Sequence, residues 1–481
     1  MSYKITVAYG DGIGPEIMEV VLQILKKANF EFKETVIELG EKVYKQGHVS
    51  GVRAEDWELI RENKVFLKAP ITTPQGGGFK SLNVKIRKSL GLFANVRPVR
   101  SLHPYVKTKF PNLDVVVIRE NEEDLYAGIE HRQTPEVFQC LKLMSVPGCE
   151  KIARYAFEYA KTMGRRKVTC MTKDNIMKLT DGTFRKIFED IALEYPNIEK
   201  DHWIIDIGMA KFATQPEDFD VILLPNLYGD ILSDVSAQLA GSVGIGGSSN
   251  IGSTHAMFEA IHGSAPRRAG QNVANPSGLL NAALLMLSHI GENERAEKIY
   301  NAWLKTIEEG IHTYDIYNPS LSKQKASTTD FGKAIIENLG GKPKELASFH
   351  LPKNSEPIQI ALSNTVFSSQ DKILDGVDVF ICSSNRDPNV LAGQLKQATQ
   401  EDAFLELAYI TNRGIKVYPK PLPETFCTDH WRCRFLKKDQ SSCQPLNIIS
   451  LLQKICSANL EIIKTENLYS FSGTANYSQI G

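Results

Sequence analysis

Up to about residue 340 the chain alternates between two hydrophobic periods. Short apolar, β-branched runs at Ile5–Tyr9, Val65–Lys68, Val115–Ile118, Lys167–Met171 and Val221–Leu224 predict buried strands. Between them Pro15–Ala28 sets Ile17, Val20, Val21, Ile24 and Leu25 on one stripe, and Cys149–Met163 and Pro276–Ile290 also read as helices. Strands enclosed by helices in this order predict an α/β fold.

The pattern breaks after Leu339, where GGKPKELASFHLPKNSEP carries Gly, Pro and charge without a period and reads as a linker over 342–371. A second pattern follows over 372–481. It runs strand Val377–Cys382, helix Pro388–Ala398, strand Leu405–Thr411, a third strand at Ile415–Tyr418 or Trp431–Phe435, helix Leu446–Ala458 and strand Glu461–Leu468. That βαββαβ order predicts a ferredoxin-like α+β domain. The tail beyond Phe471 is expected to be loose.

Composition narrows the classes of function. A chain of 481 residues predicts two to four domains. Lys+Arg and Asp+Glu are both 56, so no global positive field advertises a nucleic-acid or membrane partner. No apolar run approaches the ~18 residues of a membrane span. The N-terminus enters a strand pattern without a basic leader or apolar signal core, so a cytoplasmic location is expected. The eight cysteines form no CxxC pair and read as free thiols in or near the core.

The stretch Lys68–Arg87, KAPITTPQGGGFKSLNVKIR, sets a hydroxyl, an amide and a guanidinium beside a loop rich in Gly and Thr. Ser81 is placed to cap a helix from about Leu82 to Gly91, on which Asn83 and Arg87 are i,i+4 neighbours. Such a face suits a small polyanion, with Arg87 on one carboxylate and Ser81 and Asn83 on a second. A capped surface helix is the plainer alternative. Arg97 in NVRPVR and Arg119 in VVVIRE add two guanidiniums, each of which alone would read as a structural ion pair.

NLYGDILSD follows the apolar run VILLP and puts Asp230 and Asp234 four residues apart. On a helix beginning there, two carboxylates on one face suit a hard divalent ion, Mg²⁺ or Mn²⁺. Acids serving a helix dipole are the alternative. Asp206, at the end of another strand candidate, is placed to join them. Tyr126 and Lys173 are candidate proton-transfer groups, and both need perturbed pKa values to act near neutrality. HGSAPRRAGQNVANP combines a turn with Arg267 and Arg268, a pairing that suits a phosphate; an exposed basic loop is the alternative. GDGIGPE (Gly10–Glu16) lacks GxGxxG spacing and a strand-end acid about twenty residues on, which argues against a Rossmann loop.

Together these motifs resemble the isocitrate/3-isopropylmalate dehydrogenase family of decarboxylating dehydrogenases, in order over about residues 1–340. The resemblance implies that family's fold, with a large subdomain over 1–92 and 241–341. A small subdomain over 93–240 would include a dimer clasp near 124–145. SLNVKIR is similar to the isocitrate version of the family, isopropylmalate enzymes being more apolar there. It implies isocitrate as substrate, with Ser81 and Asn83 on its extra carboxylate and Arg87, Arg97 and Arg119 on the other two. Asp206, Asp230 and Asp234 would be the metal ligands. Lys173 and Asp206 would reach the site from a neighbouring subunit, so the active form would be a homodimer or larger. Lys173 would assist loss of the hydroxyl proton, and Tyr126 would protonate the enolate left by decarboxylation. The product would be 2-oxoglutarate, as in the tricarboxylic acid cycle.

By the same resemblance Thr72, His262, Gly263, Ser264, Ala265 and Asn275 match cofactor-site positions. Arg267 and Arg268 stand where NAD-dependent members tend to carry Asp-Ile, so NADP is expected. One departure is STTDFGKA, which offers Thr329 and Lys333 where familiar bacterial NADP enzymes have Tyr and Arg. ITNRGIKVYP and DHWRCRFL resemble the extra C-terminal domain of a subgroup of larger bacterial isocitrate dehydrogenases. That domain shows no catalytic constellation, and His430 and Cys433 lack zinc-ligand spacing. An assembly or clasp role is expected for it, with small-molecule sensing as the rival. The competing readings of the whole chain are an NAD-preferring or homoisocitrate-using relative and a non-catalytic regulatory subunit. The complete constellation argues against the last.

Overall fold

The computed structural model describes residues 3–48, 51–72, 81–351, 358, 360, 371–438 and 443–479. Most of the Gly- and Thr-rich loop before Ser81 (73–80) and much of the expected linker lie outside the described residues. In chain order the elements are β1 (Tyr3–Ala8), α1 (Gly14–Lys27), β2 (Phe32–Val36), α2 (Glu41–Lys45), α3 (Ala54–Asn63), β3 (Val65–Lys68), α4 (Leu82–Ser89), β4 (Ala94–Arg100) and β5 (Asp114–Glu120). The hairpin β6 (Glu130–Arg132) and β7 (Phe138–Cys140) comes next. Then follow α5 (Val146–Thr162), β8 (Lys167–Thr172), α6 (Thr180–Ala192), β9 (Glu199–Ile204), α7 (Ile205–Thr214), β10 (Val221–Leu224), α8 (Asn226–Leu239), β11 (Gly247–Ile251) and β12 (Ala256–Ala260). The series continues with α9 (Ser277–His289), α10 (Asn293–Glu308), β13 (Ile311–His312), β14 (Gln324–Lys325) and α11 (Thr328–Glu337). The C-terminal part holds β15 (Lys372–Cys382), α12 (Pro388–Ala398), β16 (Leu405–Asn412), β17 (Ile415–Tyr418), β18 (His430–Lys437), α13 (Pro445–Ser457), β19 (Glu461–Phe471) and β20 (Thr474–Ala475).

Contacts divide the chain into two units, residues 1–127 with 142–362, and residues 128–141 with 363–481. The first unit carries a ten-stranded sheet in the order β2-β1-β3-β12-β11-β4-β5-β10-β8-β9. Its wings are parallel and its centre, from β12 through β11 and β4 to β5, is antiparallel. Strands covered on both faces need continuous apolar runs, and Val115, Val116, Val117 and Ile118 of β5 are all buried. The predicted stripe of α1, Ile17 to Leu25, is buried in the same core. The GDGIGPE segment is a seat rather than a nucleotide loop. Gly12 has φ +60°, and a Cβ there would lie 2.0 Å from the Ser264 carbonyl oxygen. Ile13 N donates to that oxygen at 2.9 Å, fixing the 264 turn beside the start of α1.

In the second unit the long strands lie antiparallel in the order β16-β18-β15-β19, with β17 and β20 at the edges. This is the ferredoxin-like arrangement expected of βαββαβ. Both candidates for the third strand are strands: Trp431, Cys433 and Phe435 fill the core from β18, while β17 is a short edge addition. The tail differs from expectation. β20 pairs with β19, and the Ser478 carbonyl accepts from Arg434 at 2.8 Å, closing over a buried Arg434–Asp378 pair at 2.7 Å. A buried guanidinium requires a full set of acceptors, and the tail supplies one. The stretch 128–141, expected to sit with the small subdomain, belongs instead to this unit: Thr134 donates to Asp429, and Glu136 pairs with Arg386 and accepts from Asp429 N. All eight cysteines are free, but Cys140 and Cys456 are exposed rather than near a core. Among the described residues no helix is long and apolar enough to cross a membrane.

Candidate active site

One helix and two strands of the first unit, α4, β4 and β5, carry the expected polyanion residues. Ser81 stands at the N-cap position of α4, but its side chain makes no cap hydrogen bond, contrary to expectation. Asn83 Oδ1 is buried without a partner. Arg87, one helical turn on, reaches β12, where Glu259 Oε1 accepts its Nη2 at 2.8 Å. Glu259 Oε2 accepts the Lys68 ammonium at 2.7 Å, and Asn250 Nδ2 donates to Oε1 at 3.0 Å. Sequence reasoning missed Lys68 and Glu259. The signal was there: a lysine inside an apolar strand is almost never buried unpaired. Burial raises the Glu259 carboxyl, yet Lys68 and Arg87 overcome that and hold it well below the usual carboxylate range.

Arg97 on β4 and Arg119 on β5 converge on α8. Gly229 makes the approach possible, since a Cβ there would lie 2.6 Å from the Arg119 side chain. Asn226 Oδ1 accepts Arg119 Nε at 2.9 Å, and Asp230 accepts its Nη1. Arg97 donates to Ser233 and lies 3.5 Å from both Asp230 and Asp234. The helix begins at Asn226 and has no acid in its first turn, so Asp230 and Asp234 do not serve its dipole. Burial pushes Arg119 down to about 10, and the neighbouring charges of Arg87 and Arg97 add to the fall. Burial by itself would raise Asp230, but Arg119 and Arg97 hold it low; burial keeps Asp234 raised.

Tyr126 follows β5 in a short helical turn. Its hydroxyl donates to Asp230 Oδ2 at 2.6 Å, under the Arg119 guanidinium 4.8 Å from the ring centre. Burial, then the bond to Asp230, raises the phenol, so it keeps its proton at neutral pH. Lys173 lies just past β8, and its ammonium pairs with Asp206 at 2.7 Å. Asp206 is in the first turn of α7, not at a strand end, and its side chain is 68% exposed. Among the described residues no three His, Cys, Asp or Glu side chains gather as a metal site, so Asp206 is not brought to Asp230 and Asp234 within the chain.

The cofactor candidates line a second cluster. Thr72 Oγ1 and Ser264 Oγ share a hydrogen bond of 2.8 Å, and Thr72 N donates to Asp11 at 2.8 Å. Ala265 holds φ +39°, a strained non-glycine conformation at the turn into Arg267 and Arg268. Gly263 and Arg267 are exposed, and Arg268 stacks on the Tyr314 ring at 3.9 Å, a partner that sequence reasoning did not name. Glu16 of GDGIGPE accepts from the backbone N–H groups of Gly270 and Asn272, pinning the arginine loop to α1. Asn275 donates to Asp315 at 3.0 Å. The His262 ring is pushed toward its neutral form by burial, and its Nε2 has no partner. Thr329 bonds Asn272 at 2.9 Å, while Lys333 is exposed and pairs with Asp330.

Residues 4–335 match the family model described as isocitrate/isopropylmalate dehydrogenase, and residues 372–480 match that of the bacterial isocitrate dehydrogenase C-terminal domain. A Rickettsia bellii protein named as an NADP isocitrate dehydrogenase is 52% identical over 474 residues, 98% of each chain. A Thermus thermophilus protein of the same name is 43% identical over 483 residues, 99% of this chain and 95% of that one. A solved Thermus thermophilus structure superimposes with a TM-score of 0.89 at 42% identity, covering 99% of this chain and 95% of that chain.

Proposed function

The chain belongs to the isocitrate/isopropylmalate dehydrogenase family, and from that premise we propose that it is an NADP-dependent, decarboxylating isocitrate dehydrogenase. The observation that carries the substrate is the set of buried donors left without partners: Arg87 Nε, Arg97 Nε and Arg119 Nη2. Unsatisfied guanidinium N–H groups on three separate elements call for an anion. Charge balance agrees. Lys68, Arg87, Arg97 and Arg119 face Glu259, Asp230 and Asp234, which leaves one positive charge over. A divalent cation would raise the excess to about three, the charge of a tricarboxylate, and uncompensated buried charge is costly.

Asp230 and Asp234, with Asp206 of a second copy, would hold Mg²⁺ or Mn²⁺; carboxylate oxygens are the donors such ions prefer. When bound, the ion supplies Lewis-acid polarisation and NADP supplies the hydride acceptor. Lys173 assists loss of the proton of the substrate hydroxyl. Ser81 and Asn83 hold the carboxylate that distinguishes isocitrate, and Arg87, Arg97 and Arg119 orient the other two. Tyr126 keeps its proton while the site fills and delivers it to the carbon that has lost CO₂. Arg267 and Arg268 bind the 2′-phosphate. Exposed Ile176 and Leu179 beyond Lys173, Ile207 beside Asp206 and Ile231 beside Asp230 support a homodimer that covers these faces and completes each site. The setting is cytoplasmic.

Incubation with isocitrate, NADP and Mg²⁺ should yield 2-oxoglutarate, CO₂ and NADPH in equal amounts. Turnover of homoisocitrate but not isocitrate would overturn the substrate assignment. Mixing K173M with D230N subunits, each inactive alone, should restore activity, because the hybrid rebuilds one intact shared site. An inactive hybrid would refute sharing.

A further inference from the structure

Lys142 lies near the end of the 124–145 stretch, four residues before α5, and in none of the site motifs named above. Its ammonium stands 2.7 Å from Asp181 Oδ1 and 3.2 Å from Asp124 Oδ1, over the Tyr228 ring at 4.9 Å. Both carboxylates are fully buried, and neither of those two oxygens has another hydrogen-bond partner. Their other oxygens hold backbone. Asp181 Oδ2 accepts the N–H of Lys173 at 2.7 Å, and Asp124 Oδ2 accepts the N–H of Leu227 at 2.9 Å. Leu227 is in the first turn of α8, one turn before Asp230. The Asp124 carbonyl accepts Ala127 N at 3.2 Å, closing the turn that contains Tyr126.

We propose that Lys142 is a positioning residue: one ammonium, on a side chain 12% exposed, keeps the segments carrying Tyr126, Asp230 and Lys173 in register. Three chain segments of quite different sequence position meet through it, and each holds a group assigned to proton transfer or to the metal. The proposal rests on the shared-site reading and deepens it. Tyr126 and Asp230 serve the subunit's own site, whereas Lys173 serves its neighbour's, so Lys142 ties the half a subunit keeps to the arm it lends. Losing the cation leaves Asp124 and Asp181 facing each other across the gap. They would separate and take Leu227 and Lys173 with them, and a misplacement of about 1 Å in a reacting group costs on the order of 100-fold in rate.

The test uses full-length protein. K142M should lower kcat about 100-fold, with the isocitrate KM changing less than about threefold, because Arg87, Arg97 and Arg119 are carried by α4, β4 and β5, none of which supplies a partner to Lys142. K142R, which keeps the charge, should recover at least about tenfold of that loss. Two hybrids separate the halves. In K142M/K173M mixed with D230N, the one complete site receives its Tyr126 and Asp230 from the chain lacking Lys142. In K173M mixed with K142M/D230N, it borrows Lys173 from that chain. Both should fall well below the K173M–D230N hybrid, and either one matching it would overturn the proposal. If the K173M–D230N hybrid itself is inactive, the shared-site reading has failed, and the K142M homodimer alone decides: an unchanged kcat refutes Lys142. Should K142M not fold by circular dichroism, K142Q, which keeps one donor, is read in the same way.

Discussion

Replacing Glu259 by Gln removes the carboxylate shared by two buried cations. One oxygen accepts Lys68 at 2.7 Å and the other accepts Arg87 at 2.8 Å, with Lys68 wholly buried. The amide keeps one acceptor and turns the other into a donor facing a like-minded donor. Breaking a buried pair while its partner stays charged costs roughly 3–5 kcal/mol, or about two to four orders of magnitude in the unfolding equilibrium. Urea unfolding at neutral pH should show the midpoint falling at unchanged slope. The pH dependence is also set. Burial raises Glu259, but Lys68 and Arg87 hold it well below the usual range, so its contribution is present above the unfolded carboxyl pKa and is lost only as pH falls through the lower folded value. The gap between wild type and E259Q should therefore stay constant from about pH 5 to 8. Arg87 loses its anchor as well, so the isocitrate KM should rise more than kcat falls. A loss below about 1 kcal/mol with an unchanged KM would refute the reasoning.

Y126F should lower kcat by about 10²–10⁴-fold while the isocitrate KM moves little; an unchanged kcat would remove Tyr126 from proton delivery. R267D/R268I should cut the preference for NADP over NAD at least about 100-fold, since each charge-assisted contact is worth roughly 1.5–3 kcal/mol; an unchanged ratio would place the phosphate elsewhere. Burial pushes Glu120 up to about 7 from 4.5, against the N–H groups of Glu122 and Glu123 and with the charges of those two residues adding to the rise. A raised acid favours its protonated form in the fold, so stability is fully present below the unfolded value and is lost as pH climbs toward 7, by at most roughly 3 kcal/mol. E120Q should flatten the urea midpoint between about pH 5 and 8, and equal slopes in both proteins would contradict the burial argument.

Much of the fold was legible because burial imposes periods that survive in one dimension. The continuous run of β5 and the stripe of α1 both follow from what covers them. The site was legible where its residues are local: Asn83 and Arg87 share α4, and Asp230 and Asp234 share α8. Contacts between distant segments left no periodic trace. Arg87 and Glu259 are 172 residues apart, and Thr134 and Asp429 are 295 apart. The tail looked loose because its polar residues carry no pattern, yet the Ser478 carbonyl joins Asp378 and Tyr409 as an acceptor for the buried Arg434 guanidinium. Tyr314 escaped notice because an aromatic in an irregular stretch declares its cation only once the chain is folded.

The most direct test is the initial rate of reduced-nicotinamide formation from isocitrate with Mg²⁺, run with NADP and NAD in parallel. The account predicts a kcat/KM for NADP at least about 100-fold above that for NAD, set by Arg267 and Arg268. No rate with either cofactor in folded protein, or a clear preference for NAD, would contradict it.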